Sequence, residues 1–302
     1  MAQTGVDTDD GVRLSVLVEE PERAAVTVVL AHGWTLDTRT WGPVAAGLLR
    51  GPRPPRVVRY DHRGHGRSDP APPETMTIDR LADDLAHVIA ATAPDGPLVL
   101  AGHSMGGMAL MALAERHPAM AARAAGLAFV ATASGGLART AFGLPERGAA
   151  VARAVDRRLR ELPGRSRRGS MGPPWLLAPA LRWLLLGRHP DPLARLLTVR
   201  AVAACRPQTV AGFRATLDEH ERDTALAAFA GTPTVVLAGD RDRLTPLAAA
   251  RRITEALPSA RLTVFPGAGH MLPVERVPGV VAELDELVRG AVEGAPARQS
   301  PG

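Results

Sequence analysis

Six short runs of near-continuous apolarity limit what this chain can become. Residues 24–30 (AAVTVVL), 56–60 (RVVRY), 98–101 (LVLA), 126–131 (GLAFVA), 234–238 (TVVLA) and 261–265 (RLTVF) are dominated by Val, Leu and Ala. Runs of this length without polar alternation suit strands buried on both faces of a parallel sheet. Helical patterns fill the gaps. Val277, Val280, Val281, Leu284, Leu287, Val288 and Ala291 recur at spacings of three and four, as do Ile78, Leu81, Leu85, Val88 and Ile89. Strand and helix in alternation imply right-handed crossovers and an α/β, doubly wound, mostly parallel sheet, whose ligands bind beyond the carboxyl ends of the strands. Asp10-Gly11 reads as a hairpin turn that adds an antiparallel pair at one edge.

The rhythm fails between about 134 and 230, where no strand pattern is visible. Residues 139–168 hold nine Arg, and a Pro/Gly-rich stretch then leads to the bulky run around Trp175 and Trp183. We expect a helical insertion at 134–230, a core from 1–133 and 231–293, and a disordered tail at 294–302. With 302 residues and 46% apolar content, one large core with an insertion fits better than two equal domains.

Charge and cysteine content narrow the classes. All 36 basic residues are Arg, yet against 31 acidic ones the net charge is only +5. The Arg-rich stretch reads as a solvated helix face; ten aromatics in the chain offer little for base stacking, so nucleic acid is not an expected partner. Cys205 is the lone thiol, which excludes an internal disulfide. A polar, acidic start and apolar runs too short to span a bilayer lead us to expect a cytoplasmic protein without membrane insertion.

Chemistry concentrates at Gly102-His103-Ser104-Met105-Gly106, which follows the run LVLA and precedes a helical stretch at 108–116. In that context G-x-S-x-G is a nucleophile elbow: the turn is so tight that the residues two before and two after the serine must lack bulk. A serine hydroxyl needs a base and a group that orients the base. His270, in the loop after the last strand run, is the candidate base. In the loop after TVVLA two carboxylates compete. Asp242 has room to reach toward His270, whereas Asp240 stands where it would fix the turn.

The order Ser104, Asp242, His270 resembles that of the α/β-hydrolase superfamily, and the likeness extends over nearly the whole chain outside the insertion and tail. Leu30-Ala31-His32-Gly33-Trp34 is similar to the family's HG-x motif, which implies an oxyanion hole formed by the backbone N–H groups of Trp34 and Met105. Asp61 to Ser68 (DHRGHGRS) is similar to the family's D-x-R-G-x-G-x-S loop and reads as structural, with no metal role for its histidines. By the same resemblance the insertion is a cap, and Trp175 and Trp183 would line an apolar pocket or pack the cap on the core. A serine at the elbow disfavours the Asp- and Cys-based chemistries of the fold. We expect cleavage of a carboxylic ester with an apolar portion, through an acyl-enzyme on Ser104, needing neither metal nor organic cofactor. Carbon–carbon bond hydrolysis, haloperoxidase or perhydrolase chemistry, and a non-catalytic binding module stay open as alternatives.

Overall fold

A computed structural model describes residues 2–22, 24–137 and 170–294. Its eight strands are β1 (Ala2–Asp7), β2 (Arg13–Glu19), β3 (Thr27–Ala31), β4 (Arg56–Tyr60), β5 (Leu98–His103), β6 (Ala124–Val130), β7 (Thr234–Gly239) and β8 (Arg261–Phe265). They form one sheet in the order β1-β2-β4-β3-β5-β6-β7-β8. β2 runs antiparallel to both β1 and β4, and every other neighbouring pair is parallel. The hairpin between β1 and β2 turns at Gly11, whose φ of 81° lies where a side chain is strained.

The unbroken apolarity of the central strands has a direct structural cause. Val29, Ala31, Val58, Leu100, Leu127, Phe129, Val236 and Ala238 point into one core, and Val28, Leu30, Val57, Val99, Ala101, Ala128, Val130, Val235 and Leu237 point into the other. Alternate residues serve opposite faces, so polar side chains such as Thr27, Arg59, His103 and Thr234 stand only near the strand ends. Helices α2 (Ile78–Thr92) and α3 (Met105–Arg116) cover the first face. Thr77 starts α2 by accepting the Arg80 N–H, which satisfies one of its orphan donors. On the second face lie α1 (Gly42–Leu48) and, at the far end of the chain, a helix spanning Val277–Glu293.

Of the boundaries that differ from the sequence reading, two have a clear physical cause. β3 begins at Thr27, not at 24, because its ladder starts where the Thr27 N–H reaches the Pro97 carbonyl. α3 begins at Met105, three residues ahead of expectation, because tight packing of Gly106 on the Ala31 and His32 backbone and of Gly107 on the Thr132 side chain holds both in the helix despite their poor propensity.

Among the described residues between β6 and β7 there is no strand. Three helices stand there: α5 (Pro174–Leu185), α6 (Pro192–Ala204) and α7 (Pro207–Asp218), numbered after the short α4 (Pro118–Ala121). Leu185, Leu186, Ala194, Ala201 and Val202 pack on Leu36, after β3, and on Met271 and Val274, after β8. The insertion therefore sits on two loops at the carboxyl edge of the sheet. The Arg-rich stretch 139–168 and tail residues 295–302 lie outside the described residues. No described helix is long and apolar enough to cross a membrane.

Candidate functional site

The parallel strands deliver their loops to one edge. Ser104 occupies the turn between β5 and α3 with φ 53° and ψ −120°, a strained conformation for a residue with a side chain. The sequence permits this turn through its glycines. A Cβ on Gly102 would collide with the backbone of Gly106 and Gly107, and one on Gly106 with the backbone of Ala31 and His32. The Ser104 N–H donates to the Val130 carbonyl at 2.9 Å, and Thr132 Oγ1 donates to the Ser104 carbonyl at 2.7 Å, so both peptide groups of the turn are fixed, one by the end of β6 and the other by a side chain just beyond it. Ser104 also stands at the start of α3, where the helix dipole favours negative charge.

His270 and Asp242 meet. His270 Nδ1 lies 2.8 Å from Asp242 Oδ2, and both residues are buried. With Nδ1–H donating to the carboxylate, Nε2 keeps its lone pair. Asp242 accepts three further hydrogen bonds, from the N–H groups of Leu244 (2.8 Å) and Thr245 (3.0 Å) and from Thr245 Oγ1 (2.7 Å). Burial pushes this carboxyl up, but the positive potential of His270 and these hydrogen bonds outweigh it and hold it below the ordinary range. Asp240 does something else: its Oδ1 accepts the Gly267 N–H at 2.7 Å.

His103 joins the two sides. Its ring lies 4.9 Å from that of His270, and its Nε2–H donates to the His270 carbonyl at 2.9 Å. Burial lowers its pKa to about 3, so the ring is neutral and Nδ1 is left without a hydrogen-bond partner. The chain neighbour of Ser104 thus carries the loop of His270. The role of His103 was not visible in the sequence because its partner is 167 residues away, and that of Thr245 because a Thr three residues after an Asp carries no local mark of the contact.

The HG-x loop presses on the elbow. A Cβ on Gly33 would stand 3.1 Å from Ser104 Cβ and 2.9 Å from His103 Nδ1. Thr35 has φ 65°, and its N–H reaches His65 Nε2 at 3.3 Å. The DHRGHGRS loop supplies that histidine and is held by bonds within it and to its neighbours. Asp61 accepts the N–H groups of Thr38 (2.7 Å) and Arg67 (2.9 Å), Ser68 Oγ donates to the Asp61 carbonyl, and fully buried Arg63 pairs with Asp84 and Asp10. Burial holds His32 and His62 well below the usual histidine range and lowers His65 to about 4. No group of three or more His, Cys, Asp or Glu among the described residues is placed to hold a metal.

Trp175 and Trp183 are more outward than a pocket wall requires. They are 73% and 48% exposed, and Arg243 stacks its guanidinium over the Trp183 ring at 4.8 Å. Apolar contact between insertion and site comes instead from Leu185 and Leu186.

An eight-stranded sheet of this order, with these loops gathered at its carboxyl edge, defines the hydrolase type of α/β fold. Residues 26–277 match the family described as alpha/beta hydrolase fold, and the chain belongs to that family. Its relatives include enzymes named as esterases and lipases. A protein of Mycobacterium tuberculosis named "Probable oxidoreductase EphD" is 38% identical over 102 residues, but the match spans only 33% of this chain and 17% of that protein. Monoacylglycerol lipase of Mycolicibacterium smegmatis is 27% identical over 80% of each chain. Among solved structures, a thermophilic esterase from Thermogutta terrifontis superposes with a TM-score of 0.75 over 96% of this chain and 99% of its own, at 24% identity.

Proposed function

We propose that this enzyme hydrolyses a carboxylic ester through an acyl-enzyme on Ser104. The observation that carries the reading is the buried His270–Asp242 pair at 2.8 Å, held beside the elbow by the neighbour of a strained serine. In this reading His270 Nε2 takes the hydroxyl proton as Ser104 Oγ attacks the ester carbonyl. The Trp34 and Met105 N–H groups meet the charge that develops on the carbonyl oxygen. His270 then returns the proton to the departing alcohol, and a water attacks the acyl-serine with the same imidazole as base. Asp242, already ionised, stabilises the imidazolium without taking up a proton itself.

The substrate is a small ester with an apolar portion, a choice supported by Leu36, Leu185, Leu186 and Met271 clustering beside these loops. We take 134–230 as the cap and the remainder up to 293 as the hydrolase core. A cytoplasmic setting goes with this reading and suits a chain without disulfides. The test is reaction with a fluorophosphonate probe, followed by a panel of p-nitrophenyl esters, lactones, thioesters and amides, with Ser104→Ala as the blank. Labelling confined to Ser104 with turnover of short esters supports the assignment. A wild-type chain that neither labels nor turns over any ester refutes it in favour of a binding module.

A further inference from the structure

One carboxylate that the proposed reaction does not use stands behind the base. Glu275 ends the short helix Leu272–Glu275 and is partly buried. Its Oε1 accepts the N–H groups of Gly269 (3.1 Å) and Met271 (3.2 Å), the two residues that flank His270. Its Oε2 accepts the N–H of Gly187, in the segment that leaves helix α5, at 2.6 Å. One oxygen holds the peptide planes on either side of the imidazole, and the other holds the insertion.

The same two segments are stitched together directly. The His270 N–H donates to the Leu185 carbonyl at 2.8 Å, and the Arg188 N–H donates to the Gly267 carbonyl at 3.0 Å. Their contact is backbone on backbone: a Cβ on Gly269 would stand 2.6 Å from Gly187 N, and one on Gly187 would overlap the Gly267 carbonyl. Only a carboxylate fits behind such a seam. It offers acceptors on both oxygens, whereas an amide would turn its NH₂ toward one set of N–H donors. Charge-assisted bonds to backbone N–H groups are also stronger than neutral ones.

We propose that Glu275 is a positioning residue that sets His270 for proton transfer and makes that placement depend on the docked 185–188 segment, so that cap and base form one mechanical unit. This rests on the serine-hydrolase reading above. Misplacing a reacting group by about 1 Å can cost roughly 100-fold in rate, so a clasp on both sides of the base is worth keeping.

The experiment uses the full chain with Glu275→Gln and, separately, Gly187→Ala, which pries the seam without touching the carboxylate. For Glu275→Gln we expect kcat on p-nitrophenyl butyrate to fall about 10- to 100-fold with KM changed less than about 3-fold, and phosphonylation of Ser104 to slow by the same factor. Gly187→Ala should reproduce the fall in kcat. Amide exchange in Glu275→Gln should quicken at Gly187, Gly269 and Met271 and stay unchanged in β5 and α3. Wild-type kcat in either variant overturns the proposal, as does unchanged exchange at Gly187. If the wild-type chain neither labels nor turns over esters, the hydrolase reading fails and takes the role at the base with it. The exchange result still decides by itself whether the carboxylate clasps the two segments.

Discussion

The two loops that would have to cooperate, the elbow at Ser104 and the loop around His270, are held from different sides, one within the sheet and the other partly from outside it. The elbow is closed mainly by backbone packing within the sheet: its glycines touch β3 and its own helix, the end of β6 takes up the Ser104 N–H, and the Thr132 side chain just beyond takes up its carbonyl. The other loop is suspended on side chains and on a distant segment, by Asp240, His103, Glu275 and residues 185–188. On the function proposed above, the nucleophile in its strained backbone has a rigid frame, and the base that would accept and release a proton sits on a support that can be adjusted from outside the sheet.

The sharpest way to break the contrast is to make one kind of change on both sides. Gly106→Ala drives a methyl group into the Ala31 and His32 backbone and should cost about 4 kcal/mol or leave no folded protein. Gly267→Ala changes a residue at φ 71° whose nearest neighbour is the end of the Arg276 side chain at 3.7 Å, so it should cost only about 1–2 kcal/mol of backbone strain. Urea unfolding of the two variants measures the difference, and equal losses would erase the distinction drawn here.

Asp242→Asn tests the second loop alone. It should lower kcat by about 10³- to 10⁴-fold with the fold intact, because the amide favours the wrong tautomer of His270. Steady-state kinetics with circular dichroism check this, and an unaffected rate would move the orienting role elsewhere.

Acid should separate the two sides next. Burial lowers the pKa of His32, His62, His65, His103 and His220, and the first four lie around the elbow and the HG-x loop. The unfolded chain binds these protons near pH 6.5, whereas the folded chain binds them only at lower pH. Stability is therefore full above about pH 6.5 and falls as pH drops toward the folded values, at about 1.4 kcal/mol per pH unit for each histidine. Asp242, with its carboxyl held low, contributes stability above about pH 3.9 that is lost only as pH falls through its folded value, outside this window. Thermal midpoints between pH 7 and pH 4 should show the slope, and His65→Gln should reduce it. The smallest effect belongs to Trp183→Ala: an outward ring stacked under Arg243 should change kcat/KM on short esters by only about 3-fold or less.

The same contrast explains what the sequence disclosed. The elbow is legible because its requirements lie in one contiguous stretch, a buried run, two spaced glycines and a helix, so Ser104 could be singled out without any long-range knowledge. The sheet was legible for a related reason, since strands buried on both faces leave an unmistakable apolar run. The bond between Glu275 and Gly187 stayed hidden because its partners are 88 residues apart and brought close only by folding, and Thr245 because a lone Thr carries no local mark of the carboxylate it supports. The exposure of Trp175 was equally out of reach: a Trp in an apolar run reads as buried until the neighbours that would cover it are known.

The glycine seam between residues 187 and 269 has a practical consequence for protein engineering. Exchanging the lid of this scaffold for one from another hydrolase is not a modular graft. On the role proposed for Glu275, a transplanted segment that brings a bulkier residue to position 187, or lacks an amide hydrogen there, would arrive with the proton-transfer geometry already misaligned, however well its own pocket suits a new compound. Chimeras should therefore cross over outside residues 185–188.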